Sequence, residues 1–594
     1  MAHVINERVS ALRNLMSARN IDAFIIPGTD PHMSEYIADH WKCREWISGF
    51  NGSAGTVVIT REDAGLWTDS RYFIQAAMQL ENTPIRLFKE GLPETPSIND
   101  YLISVLPKGA TIAVDGSLFP VNAVEELKHR FSAAHLTFLT DFTPFDEIWT
   151  ERPAIPEHSI YEYPEERAGE SVLSKRERIL MELHKTGANA ILLTALDDIA
   201  WTLNIRGTDV DYNPVAICYA FLSAKENIIF ADKEKLTVEI KKFFDENNII
   251  TASYDKLTDF LGQLPKEYHL LVDPAKVNQN LYDALSHECV KIKSTSPVAL
   301  LKAVKNETQI EGFRSALIKD GVALTRFFRW LEEQVPTGTV TETGIATKLT
   351  EFREEQEGFM GESFGTIAGF REHGAIVHYN ATPESDATIT SEGFLLIDSG
   401  GQYLDGTTDI TRTIILGTPD ERQKRDFTLV LKGHINLALT KYPKGTRGDQ
   451  LDVLARQALW NLHMNYLHGT GHGIGHFLNV HEGPQSIRMN HNPVILQPGM
   501  ITSNEPGLYI AGEYGIRHEN LILTVEDGTS PFGDFYKFET LTLFPFDLNG
   551  IEPSLLTAGE REWLNDYHRN VYETLSTRLT IEEQEWLAAK TKAI

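Results

Sequence analysis

The stretch FLLIDSGGQYLDGTTDITRTIIL, residues 394–416, decides how the C-terminal half of this chain is interpreted. Two apolar runs rich in β-forming residues flank a polar, glycine-containing middle, which is the pattern of a β-hairpin. Asp398 and Asp409 fall one on each arm, and the point midway between them lies in the expected turn, between Tyr403 and Leu404. A hairpin symmetric about that point opposes the two carboxylates directly, with Cβ atoms ~4.5–5.5 Å apart. Like charges that close destabilise a sheet unless a cation lies between them.

A second segment, SNEPGLYIAGEYGIRHENLIL at residues 503–523, has the same arrangement. Glu505 and Glu519 flank a turn whose centre is Gly512. The alternative is that all four acids are solvated and inert at strand ends, which is the better interpretation for any single acid. Two opposed carboxylate pairs in one domain instead favour a metal site.

The segment between the two hairpins, LHGTGHGIGHFLNVHEGP at residues 467–484, offers imidazole groups. Its closely spaced glycines argue against a helix and allow the backbone to approach a ligand closely. The helical HExxH zinc motif is absent, and Ile474 stands where the dinucleotide-binding motif GxGxxG requires glycine. We expect one histidine here to bind metal and others to contact substrate; the candidates are His468, His472, His476 and His481.

Four carboxylates and one imidazole form a hard, oxygen-rich donor set. Such a set suits Mn, Fe, Co or Zn better than a metal that selects thiolates. Because four carboxylates carry four negative charges, charge balance predicts two divalent ions. Two metals ~3.5–4 Å apart can activate a bridging water and stabilise a developing oxyanion. The residues alone therefore predict a two-metal hydrolase whose substrate is undefined.

Composition and charge exclude several classes of protein. The 594 residues are 42% hydrophobic and 23% charged, as in an ordinary globular protein, and the net charge of -28 repels nucleic-acid phosphates. No apolar run approaches the ~18 residues of a membrane span, and the N-terminus lacks the pattern of a secretory signal. The widely spaced Cys43, Cys218 and Cys289 are predicted to be buried, reduced thiols. We expect a cytoplasmic protein without a membrane or nucleic-acid partner.

A repeated pattern divides the N-terminal half of the chain. RVSALRNLMSARNIDAFII at residues 8–26 and RERILMELHKTGANAILL at residues 176–193 each predict an amphipathic helix followed by an apolar strand. Two successive α/β domains of similar build explain this better than chance similarity between two ordinary helix–strand units. A proline-rich linker at 149–164, a boundary near Ser296-Pro297 and a helical pattern over 307–335 complete the division. The predicted domains are 1–155, 165–300 and 301–594, the last ending in a helical tail.

Taken together, these motifs resemble the pita-bread metallopeptidases, and within them the long, three-domain Xaa-Pro aminopeptidases (aminopeptidase P). The runs that carry the resemblance, in the order of the family, are DSGGQYLDGTTDITRT, HGTGHGIG, NVHEGP, NEPGLY and GIRHEN. The runs GFNGSAGTVVIT, LWTDSRYF, LDDIAWTLNIRG and FYKFETLTL extend it over nearly the whole chain. It implies an α/β (α+β) fold with two creatinase-N-like domains before a pita-bread catalytic domain. Prolidases, creatinases and methionine aminopeptidases share the catalytic domain but not the three-domain length.

The resemblance also implies a ligand set for two divalent metals. Asp398 would bind one metal, His472 and Glu505 would complete the second, and Asp409 and Glu519 would bridge the two. Manganese is the metal we expect first, with zinc, cobalt and iron as alternatives.

The residues implied to act on the substrate are three histidines and one of the ligands.

Arg517, by contrast, looks like a residue that orients the ligand Glu519. His518 replaces an aliphatic residue of the family, and strand alternation should point it away from the metals, whereas the role of His476 stays open. The implied catalytic residues are Glu505, His481, His378 and His468.

The implied reaction is removal of the first residue from peptides whose second residue is proline. A hydroxide bridging two metals would attack the carbonyl carbon, and Glu505 would carry the proton to the departing proline nitrogen. The preference for proline rests on the resemblance alone, as does the expectation of a homodimer. The alternatives are a prolidase restricted to dipeptides and a non-catalytic peptide-binding module, because a histone-chaperone subunit reuses this fold without metals.

Overall fold

The computed structural model describes residues 2–594. The chain divides into two compact units, one of Met1–Glu165 with Glu170–Val298 and the other of Glu166–Gly169 with Ala299–Ile594. Among residues 2–594, no helix combines the length and the apolarity needed to cross a bilayer.

The first unit is built on two six-stranded sheets. The strands up to residue 293 are β1 Ala23–Ile26, β2 Thr56–Thr60, β3 Ala64–Thr68, β4 Arg86–Lys89, β5 Thr111–Ala113, β6 Thr137–Leu139, β7 Tyr161–Glu162, β8 Ala190–Leu193, β9 Ile205–Arg206, β10 Tyr219–Ser223, β11 Asn227–Phe230, β12 Ile249–Ala252, β13 His269–Val272 and β14 Val290–Lys293. The helices up to residue 303 are α1 Ala2–Ala18, α2 Cys43–Ser48, α3 Phe73–Gln79, α4 Ile98–Val105, α5 Val121–Ala133, α6 Phe145–Ile148, α7 Glu165–Ala168, α8 Val172–Thr186, α9 Leu196–Leu203, α10 Val238–Glu246, α11 Leu257–Gly262, α12 Gln279–Ala284 and α13 Pro297–Ala303.

The two sheets have the same topology, which confirms the predicted repeat. Their strand orders are β4-β3-β2-β1-β5-β6 and β12-β11-β10-β8-β13-β14. In each, the strand after the first amphipathic helix, β1 or β8, pairs antiparallel on one side and parallel on the other. Helix α1 buries one face at helical spacing, and its buried residues are Ile5, Val9, Leu12 and Met16. The three cysteines are free and buried, as predicted.

The second unit holds one six-stranded sheet, two three-stranded sheets, one two-stranded sheet and two pairs of packed helices. Its helices are α14 Glu307–Gln334, α15 Glu342–Glu354, α16 Glu421–Ala438, α17 Gly448–Trp460, α18 Ala558–Leu575 and α19 Ile581–Lys590. Its strands are β15 Phe359–Glu362, β16 Ile367–Phe370, β17 Gly393–Ser399, β18 Gly401–Tyr403, β19 Gly406–Thr407, β20 Ile410–Leu416, β21 Lys441–Pro443, β22 Gly471–Gly473, β23 Glu482–Ile487, β24 Ile501–Asn504, β25 Gly507–Ile510, β26 Tyr514–Arg517, β27 Asn520–Ser530 and β28 Gly533–Thr540.

Sheet topology in this unit brings distant segments together. One sheet has the order β16-β17-β20 and a second has the order β21-β28-β27-β24-β22-β23. The backbone N–H of Glu519 donates to the carbonyl oxygen of Thr411 at 3.1 Å, so the ends of β20 and β27 lie side by side. Helix α14 packs on α15, and α16 packs on α17. The long helical pattern predicted over residues 307–335 is α14.

The first hairpin departs from the predicted register. Asp398 pairs with Thr411 and Tyr403 with Gly406, so the turn lies one residue later than the sequence suggested. Asp409 is therefore a diagonal neighbour of Asp398 on the same face, and the predicted direct opposition is wrong. The long ladder stops at Ser399, and the hairpin tip, β18 with β19, belongs to a separate small sheet with β15.

The second hairpin keeps the predicted symmetry. Asn504 pairs with Asn520 on one side of the acidic pair, and Gly507 pairs with Arg517 on the other. Both pairings share one register, which places Glu505 and Glu519 opposite each other at the break between the two ladders. Gly512 lies at the tip with φ +77, a left-handed conformation that favours glycine.

Candidate metal centre

Five side chains from five chain segments meet in the second unit, where the sheet of β16, β17 and β20 adjoins the six-stranded sheet. Asp409, His472 and Glu519 each offer one ligand atom, and these atoms lie within 4.8 Å of one another. His472 lies in β22, and the four acids are at strand ends: Asp398 near the end of β17, Asp409 before β20, Glu505 after β24 and Glu519 before β27.

The His472 ring is oriented by its backbone. Its Nδ1 lies 2.9 Å from the carbonyl oxygen of Gly473, so a proton on Nδ1 can be donated there. Its Nε2 lies 3.4 Å from Oδ2 of Asp409 and 3.5 Å from Oε1 of Glu505. A hydrogen bond from one ring nitrogen fixes the tautomer that leaves the other free to bind a metal.

Close backbone approach explains the glycines around His472. A Cβ atom on Gly471 would lie 2.0 Å from the carbonyl oxygen of Ser503, and one on Gly473 would lie 2.2 Å from that of Glu482. Any larger residue at either position would push β22 away from its neighbouring strands. The glycines therefore let β22 carry His472 close to the carboxylates.

The acids are not solvated strand ends. Asp398 is 8% exposed, Asp409 3% and Glu519 1%. Burial, followed by the neighbouring carboxylates, raises the pKa of Glu519 well above its ordinary value. Burial also raises the pKa values of Asp398 and Glu505. Buried carboxylates at such density require cations or protons.

Arg517 supplies one fixed positive charge. Its Nη2 donates to Oδ2 of Asp398 at 2.6 Å, and its Nε donates to Oγ1 of Thr411 at 3.1 Å. The Thr411 hydroxyl in turn donates to Oε2 of Glu519 at 2.7 Å. Arg517 thus contacts Asp398 directly and reaches Glu519 through Thr411.

The donor set fits divalent metal ions. One arginine does not balance four carboxylates, and Oδ1 of Asp398 is buried without a hydrogen-bond partner among residues 2–594. A bare buried carboxylate oxygen is costly, and a cation would satisfy it.

Two of the histidines implied to act on substrate lie beside this cluster. The ring of His481 is perpendicular to that of His472, with ring centres 4.4 Å apart. His468 has Nδ1 4.0 Å from Oε2 of Glu505 and Nε2 2.9 Å from the hydroxyl of Tyr509. Tyr509, which the sequence did not single out, also accepts a hydrogen bond from Arg517 at 2.7 Å.

His378 belongs to a separate segment. It is half-buried, and its neighbour Tyr379 belongs to an apolar cluster against which Tyr509 packs. The segment that carries His378 is therefore joined to the metal centre through Tyr509.

The two histidines outside the proposed ligand and substrate sets, His476 and His518, are buried beside aromatic rings. His476 is buried, with its ring 5.4 Å from that of Phe313 in α14. His518 is buried between Phe427 and Phe546, at 4.3 and 5.6 Å between ring centres. Burial lowers the pKa of His518 well below its ordinary value, so this ring is neutral. Its position agrees with the predicted orientation away from the metal ligands.

Two supporting residues lie two positions away from proposed ligands. Thr411 lies two residues after Asp409 and bonds to Glu519. Ser503 lies two residues before Glu505, and its hydroxyl is 3.3 Å from Oε1 of Glu505. Alternation along a strand places such residues on one face, so this signal was present in the sequence.

Four segments of the chain match the descriptions of known protein families. Residues 311–526 match "Metallopeptidase family M24", and residues 534–594 match the C-terminal region of peptidase M24. Residues 8–149 and 151–309 each match "Creatinase/Prolidase N-terminal domain". These matches confirm the predicted fold class, with two creatinase-like domains before the metallopeptidase domain.

Curated relatives match over almost their full length. Aminopeptidase P2 of Arabidopsis thaliana is 40% identical, with 100% of this chain and 89% of the relative covered. A probable Xaa-Pro aminopeptidase P of Laccaria bicolor is 41% identical, with 98% of this chain and 93% of the relative covered.

Solved structures agree with these relatives. The X-prolyl aminopeptidase of Caenorhabditis elegans, described as a cytosolic enzyme with a di-nuclear active site, is 35% identical. It superposes with a TM-score of 0.95 and covers 99% of this chain and 100% of its own. An Xaa-Pro dipeptidase of Bacillus anthracis, at 24% identity and a TM-score of 0.52, covers 64% of this chain and shares the fold alone.

Proposed function

Because this chain belongs to metallopeptidase family M24, we propose that it is a metal-dependent Xaa-Pro aminopeptidase, which releases the first residue of peptides with proline second. Its full-length relatives of about 40% identity are Xaa-Pro aminopeptidases, and the solved relative has a di-nuclear active site. The observation that carries the proposal is the convergence of Asp409, His472 and Glu519 within 4.8 Å, inside a chain that matches these enzymes from end to end.

The proposed site holds two divalent ions. When bound, they would supply a water ionised near neutral pH and Lewis-acid stabilisation of negative charge. A donor set of four carboxylates and one imidazole supports manganese, with zinc, cobalt or iron as alternatives. The proposed ligands are Asp398, Asp409, His472, Glu505 and Glu519.

Glu505 is the proposed proton carrier. Its side chain is 19% exposed, against 11% for Asp398 and 5% for Asp409, so a substrate reaches it most easily. The amide nitrogen of proline bears no hydrogen, and it must gain a proton before it leaves. Glu505 would accept a proton from the attacking water and deliver it to that nitrogen.

The histidines are proposed to bind and polarise the peptide. His481, beside His472, would donate to the oxygen on which negative charge develops. His468 is held by Tyr509 beside Glu505, and His378 would contact the substrate near the proline ring. The free α-amine would lie on the Asp398 side, which restricts the reaction to the first residue.

Release of the first residue tests this function. We expect purified protein loaded with Mn²⁺ to cleave an Xaa-Pro-Xaa tripeptide and to leave the matched Xaa-Ala-Xaa peptide intact. A prolidase would prefer the Xaa-Pro dipeptide, and a non-catalytic module would cleave neither despite a full complement of metal. Either result would overturn the proposal.

Location in the cytosol and assembly as a homodimer are further proposals. The Caenorhabditis elegans relative is described as cytosolic, and three buried free thiols suit a reducing compartment. The resemblance to long Xaa-Pro aminopeptidases supports the dimer. Sedimentation equilibrium would measure the mass against the 66.8 kDa of one chain.

A further inference from the structure

Glu342, in the first turn of α15, is a fully buried carboxylate outside the metal centre. Its side chain has no solvent exposure, and four hydrogen-bond donors surround it. Oε1 accepts from the backbone N–H of Phe370 at 2.8 Å and lies 2.9 Å from Nδ1 of His373. Oε2 accepts from the hydroxyl of Tyr379 at 2.9 Å and from the backbone N–H of Ala387 at 3.0 Å.

These donors bracket one segment of the chain. Phe370 directly precedes residues 371–386 and Ala387 directly follows them, while His373 and Tyr379 lie within; we call residues 371–386 the His378 loop. One carboxylate therefore ties both ends and the middle of the His378 loop to α15. Hydrogen bonds to an ionised carboxylate are about twice as strong as neutral ones. Glu342 consequently has a large influence on the conformation of this loop.

The loop has other contacts that are independent of Glu342. Asp386, at its end, accepts from the backbone N–H of Thr343 at 2.9 Å and from its hydroxyl at 2.7 Å. The hydroxyl of Tyr379 also lies 3.0 Å from Oγ of Ser385. Asp386 thus binds the same turn of α15 without contacting the middle of the loop, which makes it a matched comparison.

The middle of the loop is joined to the metal centre. Tyr379 packs with Ile376 in an apolar cluster that Tyr509 contacts, and its neighbour in sequence is His378. The Tyr509 hydroxyl bonds with Arg517 and with His468. A shift of Tyr379 would therefore move His378 relative to the site.

We propose that Glu342 is a positioning residue that sets the affinity for substrate by holding His378 in place through Tyr379. The inference rests on the proposed function, because it needs His378 to contact the peptide. Glu342 contacts none of the proposed ligands in the hydrogen bonds and ion pairs described above, so its effect should appear in substrate binding and not in metal binding.

Two variants and one control test this role. In Glu342→Gln, one of the two acceptor oxygens becomes an NH₂ group that faces N–H and O–H donors, and the negative charge beside His373 is lost. Tyr379→Phe removes only one hydroxyl and keeps the ring packed. We expect Glu342→Gln to raise KM for an Xaa-Pro-Xaa tripeptide about tenfold or more, with kcat within about threefold. Tyr379→Phe should raise KM by about threefold, and Asp386→Asn should change it less than either.

Two readouts separate this role from general destabilisation and from failure of the function itself. Bound metal per chain should equal that of the unaltered protein, and amide exchange in residues 371–387 should be faster in Glu342→Gln. Unchanged KM in Tyr379→Phe, or an equal rise in KM in Asp386→Asn, would overturn the proposal even if Glu342→Gln does not fold. If the unaltered protein does not cleave the tripeptide, the proposed function fails, whereas amide exchange still reports whether Glu342 orders the loop.

Discussion

Arg517 and Asp398 form a buried ion pair, with Nη2 of the arginine 2.6 Å from Oδ2 of the aspartate and side-chain exposures of 2% and 11%. Burial raises the pKa of Asp398, and the guanidinium opposes that rise. Because arginine stays charged, the pair orients one oxygen of Asp398 whether or not a metal is bound. The other oxygen, Oδ1, has no hydrogen-bond partner among residues 2–594 and is left for the proposed metal.

Removal of the Arg517 charge should weaken metal binding. Arg517→Met keeps the approximate volume of the side chain but loses the bonds to Asp398, Thr411 and Tyr509. Changes to residues that support metal ligands typically cost 10–100-fold in metal affinity or activity. We expect a loss of about that size in a Mn²⁺ titration, with a smaller loss in Arg517→Lys, which keeps the charge. Equal affinities in all three proteins would contradict this role.

The predicted hairpin centre was correct only where the two acids are directly opposed. Gly512 could be identified as the centre of its hairpin because the pairings on both sides of Glu505 and Glu519 share one register. The turn of the other hairpin was misplaced by one residue, because Asp398 and Asp409 were taken to be directly opposed, whereas Asp398 pairs with Thr411. Strand alternation places both acids on one face but does not say which residues pair.

Contacts between distant segments could not be derived from local pattern. Arg517 and Asp398 are separated by 119 residues and lie on different sheets, so only the packing of these sheets brings them together. The contacts of Glu342 also depend on the fold, because its hydrogen-bond partners lie 28 to 45 residues further along the chain. The resemblance identified residue types at the site, whereas these supporting contacts required the fold.

Glu505→Gln should lower turnover strongly and preserve the fold. Glutamine has nearly the same shape but cannot carry a proton, and general acid–base catalysis contributes typically 10²–10⁴-fold. We expect kcat for the tripeptide to fall by about that factor, with unchanged far-UV circular dichroism. Glu513→Gln, at the exposed tip of the same hairpin, is the matched control and should retain full activity. A Glu505→Gln enzyme within tenfold of the unaltered protein would exclude the proton-carrier role.

The three cysteines should be inert in the native protein. Burial raises the pKa of Cys43 and of Cys218 to about 12, and it also raises that of Cys289. Because the thiolate is the reactive form, a disulfide reagent at neutral pH should label none of them and leave peptidase activity intact. All three should react after unfolding in guanidinium. Rapid labelling of the folded chain would show that at least one thiol is accessible.

Chelation of the metals should destabilise the protein, and the destabilisation should grow with pH. Without metal, Glu519 has a pKa well above its ordinary value, so the folded state holds a proton that the unfolded state releases above about pH 4.3. His472, beside Asp409 and Glu505, has its pKa raised to about 9, so its contribution is complete below about pH 6.5 and lost as pH rises towards 9. Both groups therefore make the metal-free chain less stable as pH rises. Metal ions bind the deprotonated ligands, so they should remove this penalty. The difference in Tm between metal-loaded and chelated protein should increase from pH 5 to pH 8. A difference that stays constant, or shrinks, across this range would show that these side chains do not bind the metals.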